Sequence, residues 1–136
     1  MKTGKTAAVR QGERSWAVIF YETPQGARPA EAWLREQGPR AGARFGRIFD
    51  LLEEYGPDVR RPYVAHVTGR VWEVRVEQER IQCRLLYFAA PGRKFVMLHG
   101  FVKKTRKVPL RETELAQKRL TDYLVRSAHT GRKQGR

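Results

Sequence analysis

The segment RKFVMLHGFVKKTRKVPLR, residues 93–111, carries seven cations and no acid: Arg93, Lys94, Lys103, Lys104, Arg106, Lys107 and Arg111. An apolar, strand-like run lies in its middle, so these charges are tied to regular structure. Upstream, Arg60, Arg61 and Arg70 precede the alternating run VWEVRVE, while Arg75 and Arg84 lie inside strand-like runs. A cation on a strand is costly unless it faces a groove or a partner. Hairpin geometry can bring Arg75, Arg84 and the Lys103–Lys104 corner to one side of a sheet. That composition suits a phosphate, with arginine giving paired contacts and lysine a point charge. The competing reading is a cross-strand pair, Arg84 with Glu73 or Arg75 with Glu77, and no site.

Proton-transfer groups are sparse. His99 ends an apolar run beside Gly100 and the lysine pair, where an imidazole could accept a proton; a half-buried strand histidine bonded to backbone is the alternative. His66 precedes VWEVRVE and could reach the same groove, whereas His129 falls in the C-terminal tail. Tyr87 is a further candidate, although strand aromatics usually belong to a core. No HxxxH, HExxH or carboxylate cluster is present, and no P-loop, GxSxG or GxGxxG motif. The expectation is therefore neither metal nor cofactor. Phosphodiester cleavage by a neighbouring 2′-hydroxyl fits such a set. It needs in-line geometry, a base, an acid and cations for the developing phosphorane charge.

The whole composition points the same way. Twenty-eight Lys and Arg against fourteen Asp and Glu give a net charge of +14 over 136 residues, with a pI near 10.7. Residues 1–15 hold +3 and residues 126–136 hold +4, so half of the surplus belongs to the folded part. A surplus of that size favours a polyanionic partner through counterion release. Cys83 is the lone cysteine, which excludes an intrachain disulfide. No apolar run approaches a membrane span and no secretion signal is evident, so a cytoplasmic setting without membrane contact is expected.

The elements that must position these groups follow from periodicity. Residues 1–14 read as a flexible basic leader, 15–126 as one domain and 127–136 as a flexible basic tail. SWAVIFYE (15–22) suits a strand, rich as it is in β-branched and aromatic residues. Pro29 opens a helix with Ala30, Trp33 and Leu34 on one face, stopped by Gly38. A second helix after Pro39 carries Phe45, Ile48, Phe49, Leu52 and Tyr55 as its stripe and ends at Gly56-Pro57. PDVRRPYVAHVTG reads as a loop. The runs 71–77, 81–89 and 95–102 read as strands joined by short hairpins. A last helix spans about 111–126. The order is β-α-α-β-β-β-α, an α+β fold with one mostly antiparallel sheet, a helical hairpin and a C-terminal helix.

The blocks FYETPQGARPAEAWL, VWEVRV, CRLLYF and VMLHGFVKKTRKVP, followed by a helix, resemble the phage-derived branch of the HigB toxins within the RelE/ParE superfamily. The likeness covers residues 16–125, and its most specific block is the lysine pair after the Gly-Phe strand end. It implies a RelE-like, microbial-RNase-like fold and metal-free cleavage of mRNA in the ribosomal A site. It also implies neutralisation by a cognate helix-turn-helix antitoxin. By that resemblance Arg84, Arg75, Lys103 and Lys104 are the catalytic cations, with Arg84 the foremost phosphate or transition-state ligand. His66, His99 and Tyr87 remain candidates for the general base. Arg60, Arg61, Arg70, Arg93, Lys94, Arg106 and Lys107 would bind RNA. This chain departs from RelE-type members in having Glu73 where a lysine is common, and no tyrosine within 103–112. The alternatives are a gyrase-poisoning toxin of ParE type and a degenerate member that only binds nucleic acid.

Overall fold

A computed structural model describes residues 15–134. The chain runs β1 (Ala17–Phe20), α1 (Pro29–Glu36), α2 (Pro39–Tyr55), a single 3-10 turn (Gly56–Asp58), β2 (Val64–Thr68), β3 (Val71–Gln78), β4 (Ile81–Ala90), β5 (Lys94–Lys103) and α3 (Leu110–Gln134). Among the described residues this is an α+β fold with one mixed five-stranded sheet, ordered β1-β5-β4-β3-β2, and three helices. β1 runs parallel to β5, and every other neighbouring pair is antiparallel.

Alternation sorts the strands into two apolar faces. Val74, Val76, Cys83, Leu85, Tyr87, Phe95 and Met97 pack against Ala30 of α1 and Phe45, Ile48 and Leu52 of α2. On the opposite face Val71, Leu86, Phe88, Val96, Leu98 and Phe101 pack against Ala116 and Leu120 of α3. Strands β4 and β5 are therefore apolar on both sides, as a sheet covered by helices on each face requires. A register shift between Leu86 and Tyr87 accompanies the extra β5 residue there. Gly100 is required by packing: a Cβ at that position would lie 2.1 Å from the Trp33 ring of α1.

Three expectations differ from the structure. The segment read as a loop contains β2, which pairs Val64 with Val74 and Ala65 with Glu73. Pro57 and Pro62 and the polar His66 obscured it, although Gly69 between two β-branched runs marks a two-residue hairpin. Its φ of 52° occupies the left-handed region such turns demand. The last helix continues beyond Arg126 to Gln134, through a stretch read as loose tail. Tyr55, assigned to the buried stripe of α2, is 54% exposed because the helix ends there. The leader expected at 1–14 lies outside the described residues.

Candidate nucleic-acid interface

The face of the sheet that α3 covers is not apolar throughout. Glu73, Arg75, Gln82, Arg84 and Lys103 alternate onto it, with Arg75 opposite Arg84 and Gln82 opposite Lys103 in the ladder. Helix α3 begins only at Leu110, after the loop of residues 104–109, so this end of the face stays open. A cavity of about 580 Å³ results. Arg61, Arg75, Lys103, Arg106 and Lys107 line it, together with His66 and Glu73. A second cavity of about 700 Å³ adjoins it around the end of β3, where β2 no longer pairs. It is lined by Arg44, Arg47, Arg61, Arg75 and Arg84, with Glu77 and Tyr63. Arg61 and Arg75 belong to both, which makes the two hollows one cationic groove.

The groove's cations are held differently. Lys103 is half-buried and its Nζ donates to the Arg106 carbonyl at 2.6 Å, which leaves two N–H groups for a ligand. Arg75 is half-buried, with its Nε 3.9 Å from a Glu73 carboxylate oxygen. Arg61, Arg106 and Lys107 are exposed and have no carboxylate partner among the described residues. An uncompensated cluster of this kind attracts anions.

Arg84 corrects the leading expectation. It is 3% exposed, its two terminal nitrogens donate to the Cys83 carbonyl (3.0 Å) and Gln82 Oε1 (3.1 Å), and its Nε lies 3.4 Å from Glu73 Oε1. Burial lowers its pKa, an effect that the Glu73 charge opposes. Arg84 touches the wall of the larger cavity but is engaged internally; it is a buried support for the groove. The cross-strand pairing with Glu73 that sequence reading held open is the one formed. Neither Arg84 Nε nor Glu73 Oε1 completes a hydrogen bond among the described residues, so charge rather than hydrogen-bond geometry holds the pair.

The remaining candidates divide. His66 lines the groove, exposed, with Nε2 2.8 Å from the Gly69 carbonyl and its ring edge-on to Trp72. A carbonyl can only accept, so Nε2 carries a proton, and in the neutral ring Nδ1 is the acceptor left over. His99 instead faces α3, where Nε2 meets Glu112 Oε1 at 2.6 Å and the ring stacks on Phe101. Its neighbour is thus a carboxylate, not the lysine pair. Tyr87 lies on the α1–α2 face, 3% exposed and edge-on to Phe95. Burial pushes its phenol above the ordinary tyrosine range and keeps it from proton transfer with a ligand in the groove. Lys104 is exposed just past the end of β5 and lines a further hollow beside Arg111 and Glu112, which shares Arg106, Lys107 and Val108 with the groove.

Of the residues expected to bind RNA, Arg61, Arg106 and Lys107 reach the groove. Arg60 turns back onto the Pro57 and Val59 carbonyls, beside the groove. Arg70 lies over the Phe88 ring and donates to the Ala89 carbonyl. Arg93 stacks over Trp16, and it and Lys94 sit at the other end of β5, roughly 30 Å from Lys103 at strand rise. Contiguity in the sequence had merged two ends of one strand. Sequence reading missed Arg44 and Arg47, three residues apart on α2, since cations on a helix ordinarily mark only a solvated face.

No cluster of three potential metal ligands occurs among the described residues, and none of their helices is long and apolar enough to cross a membrane. No curated protein matches the chain. A family model described as "Phage derived protein Gp49-like (DUF891)" matches residues 32–121, well over half of the chain, including β2–β5 and the groove they carry. The chain belongs to the phage-derived Gp49-like family.

Proposed function

We propose that this protein is the toxin of a type II toxin–antitoxin pair, of the RelE/HigB kind, that cuts mRNA on the ribosome. A mixed sheet with a helical hairpin on one face and a C-terminal helix on the other is compatible with a RelE-like fold. The observation that carries the reading is the groove in which Arg61, Arg75, Lys103, Arg106 and Lys107 surround His66. In the proposed reaction His66 Nδ1 takes the proton of a 2′-hydroxyl, whose oxygen attacks the adjacent phosphorus. The bond to the 5′-oxygen breaks, and Lys103 supplies the proton that the leaving oxygen takes up. Arg61 and Arg75 balance the charge that grows on the phosphorane. The products are a 2′,3′-cyclic phosphate and a 5′-hydroxyl.

The protein would act in the cytoplasm at the ribosomal A site, held in check by a cognate helix-turn-helix antitoxin. Induction without that antitoxin should stop protein synthesis, read by pulse labelling, and fragment translated messages while sparing untranslated ones. Arg75→Ala with His66→Gln should abolish the fragments. The internal engagement of Arg84 favours one other reading, a toxin that binds nucleic acid without cutting it. Arrest with intact messages would select that reading, and stabilised gyrase–DNA complexes would identify its ParE-type form.

A further inference from the structure

Tyr55 and Tyr63 are the exposed aromatic side chains among the described residues, at 54% and 44%. Both line one hollow of about 260 Å³ between the end of α2 and the segment leading into β2. Neither has a ring contact or a side-chain hydrogen bond among the described residues. Leaving two aromatic faces in water forgoes the burial that such rings ordinarily gain. Arg60 and Arg61 flank the hollow, with the Arg60 guanidinium fixed on the Pro57 and Val59 carbonyls. Asp58 lines the hollow too. A carboxylate there repels a phosphate but accepts the N–H of a heterocycle.

We infer that this hollow is a nucleobase-stacking subsite, in which Tyr55 and Tyr63 receive one unpaired base of an RNA strand whose phosphates lie in the adjoining groove. The inference rests on the RNA reading above. Continuity supports it: Tyr63 also lines the larger cavity, and Arg61 lines both cavities of the groove as well as this hollow. A strand following the cations from Lys103 past Arg75 to Arg61 meets the tyrosines next. Stacking on aromatic rings is the usual way a protein holds a splayed, unpaired base beside a cationic backbone track. Asp58 favours bases bearing an exocyclic amine.

The test is fluorescence anisotropy at low salt with a labelled 2′-O-methyl cytidine hexamer, which cannot be cut, and an abasic ribose-phosphate hexamer of equal charge. Tyr63→Ala and Tyr55→Ala should each weaken binding of the cytidine hexamer roughly 5- to 150-fold, the range of one stacked base, and leave the abasic hexamer unchanged. Tyr63→Phe, which keeps the ring, should retain the affinity. Equal losses on both hexamers, or no loss on either, would overturn the subsite. If the unsubstituted protein bound both hexamers equally, the subsite would fall while the RNA groove stood. If it bound neither, both would fall.

Discussion

The groove makes a quantitative prediction about salt. Five cations line the smaller cavity, and Arg75 shares its charge with Glu73, so four to five phosphates can be neutralised there. Each neutralised phosphate of a single strand contributes about −0.7 to the slope of log K against log salt, giving about −3 to −3.5 in all. Raising salt from about 50 to about 200 mM should therefore weaken RNA binding roughly hundredfold. The assay is a titration of a single-stranded RNA oligomer across that range. Arg106→Ala with Lys107→Ala should flatten the slope by about 1.4. Arg93→Ala with Lys94→Ala, at the far end of β5, should leave it unchanged. A slope shallower than about −1, or one set by Arg93 and Lys94, would refute the placement of the binding surface.

Three further outcomes follow from the fold. Glu73→Ala should cost about 3–5 kcal/mol in urea unfolding, because it strands the buried Arg84 charge; Glu73→Leu with Arg84→Met should recover most of it. Gly100→Ala should cost about 1–3 kcal/mol by driving a methyl into the Trp33 ring, and Trp33→Leu in the same chain should relieve part of that loss. Asp122 accepts hydrogen bonds from Arg126 (2.7 Å) and Tyr21 (2.6 Å), Arg126 being the larger cause of its lowered pKa. A lowered carboxylate pKa gives stability that is complete above its unfolded value of about 3.9 and is lost as pH falls through the folded value. Asp122→Asn should lower stability at neutral pH and reduce its decline in acid, as read from melting temperature against pH.

Periodicity carried most of the architecture. The apolar spacing along α1 and α2 and the alternation in VWEVRVE were enough to place both helices and the inner strands. The misreadings have physical causes. A five-residue edge strand such as β2 has too few alternations to outweigh Pro62 and His66, and its pairing with β3 is a tertiary event. The ladder register, which no composition encodes, decided the site. It placed Gln82 opposite Lys103 and Arg75 opposite Arg84, as the convergence expected of these cations requires. It also placed Glu73 within reach of Arg84 and buried the arginine expected to face the ligand. His99 and His66 look alike in the sequence, and only the start of α3, which sets Glu112 against His99, separates them. Arg44 and Arg47 became legible once α2 was packed beside the free end of β3.

The most direct test of the central claim is the chemistry of the cut ends. Purified ribosomes translating a defined message should be incubated with the protein, and the fragments mapped and their termini identified. Cleavage by the neighbouring hydroxyl predicts 2′,3′-cyclic phosphate and 5′-hydroxyl ends, lost in His66→Gln and in Arg75→Ala while both variants melt like the parent. Fragments ending in 3′-hydroxyl and 5′-phosphate, or cutting undiminished in both variants, would contradict it.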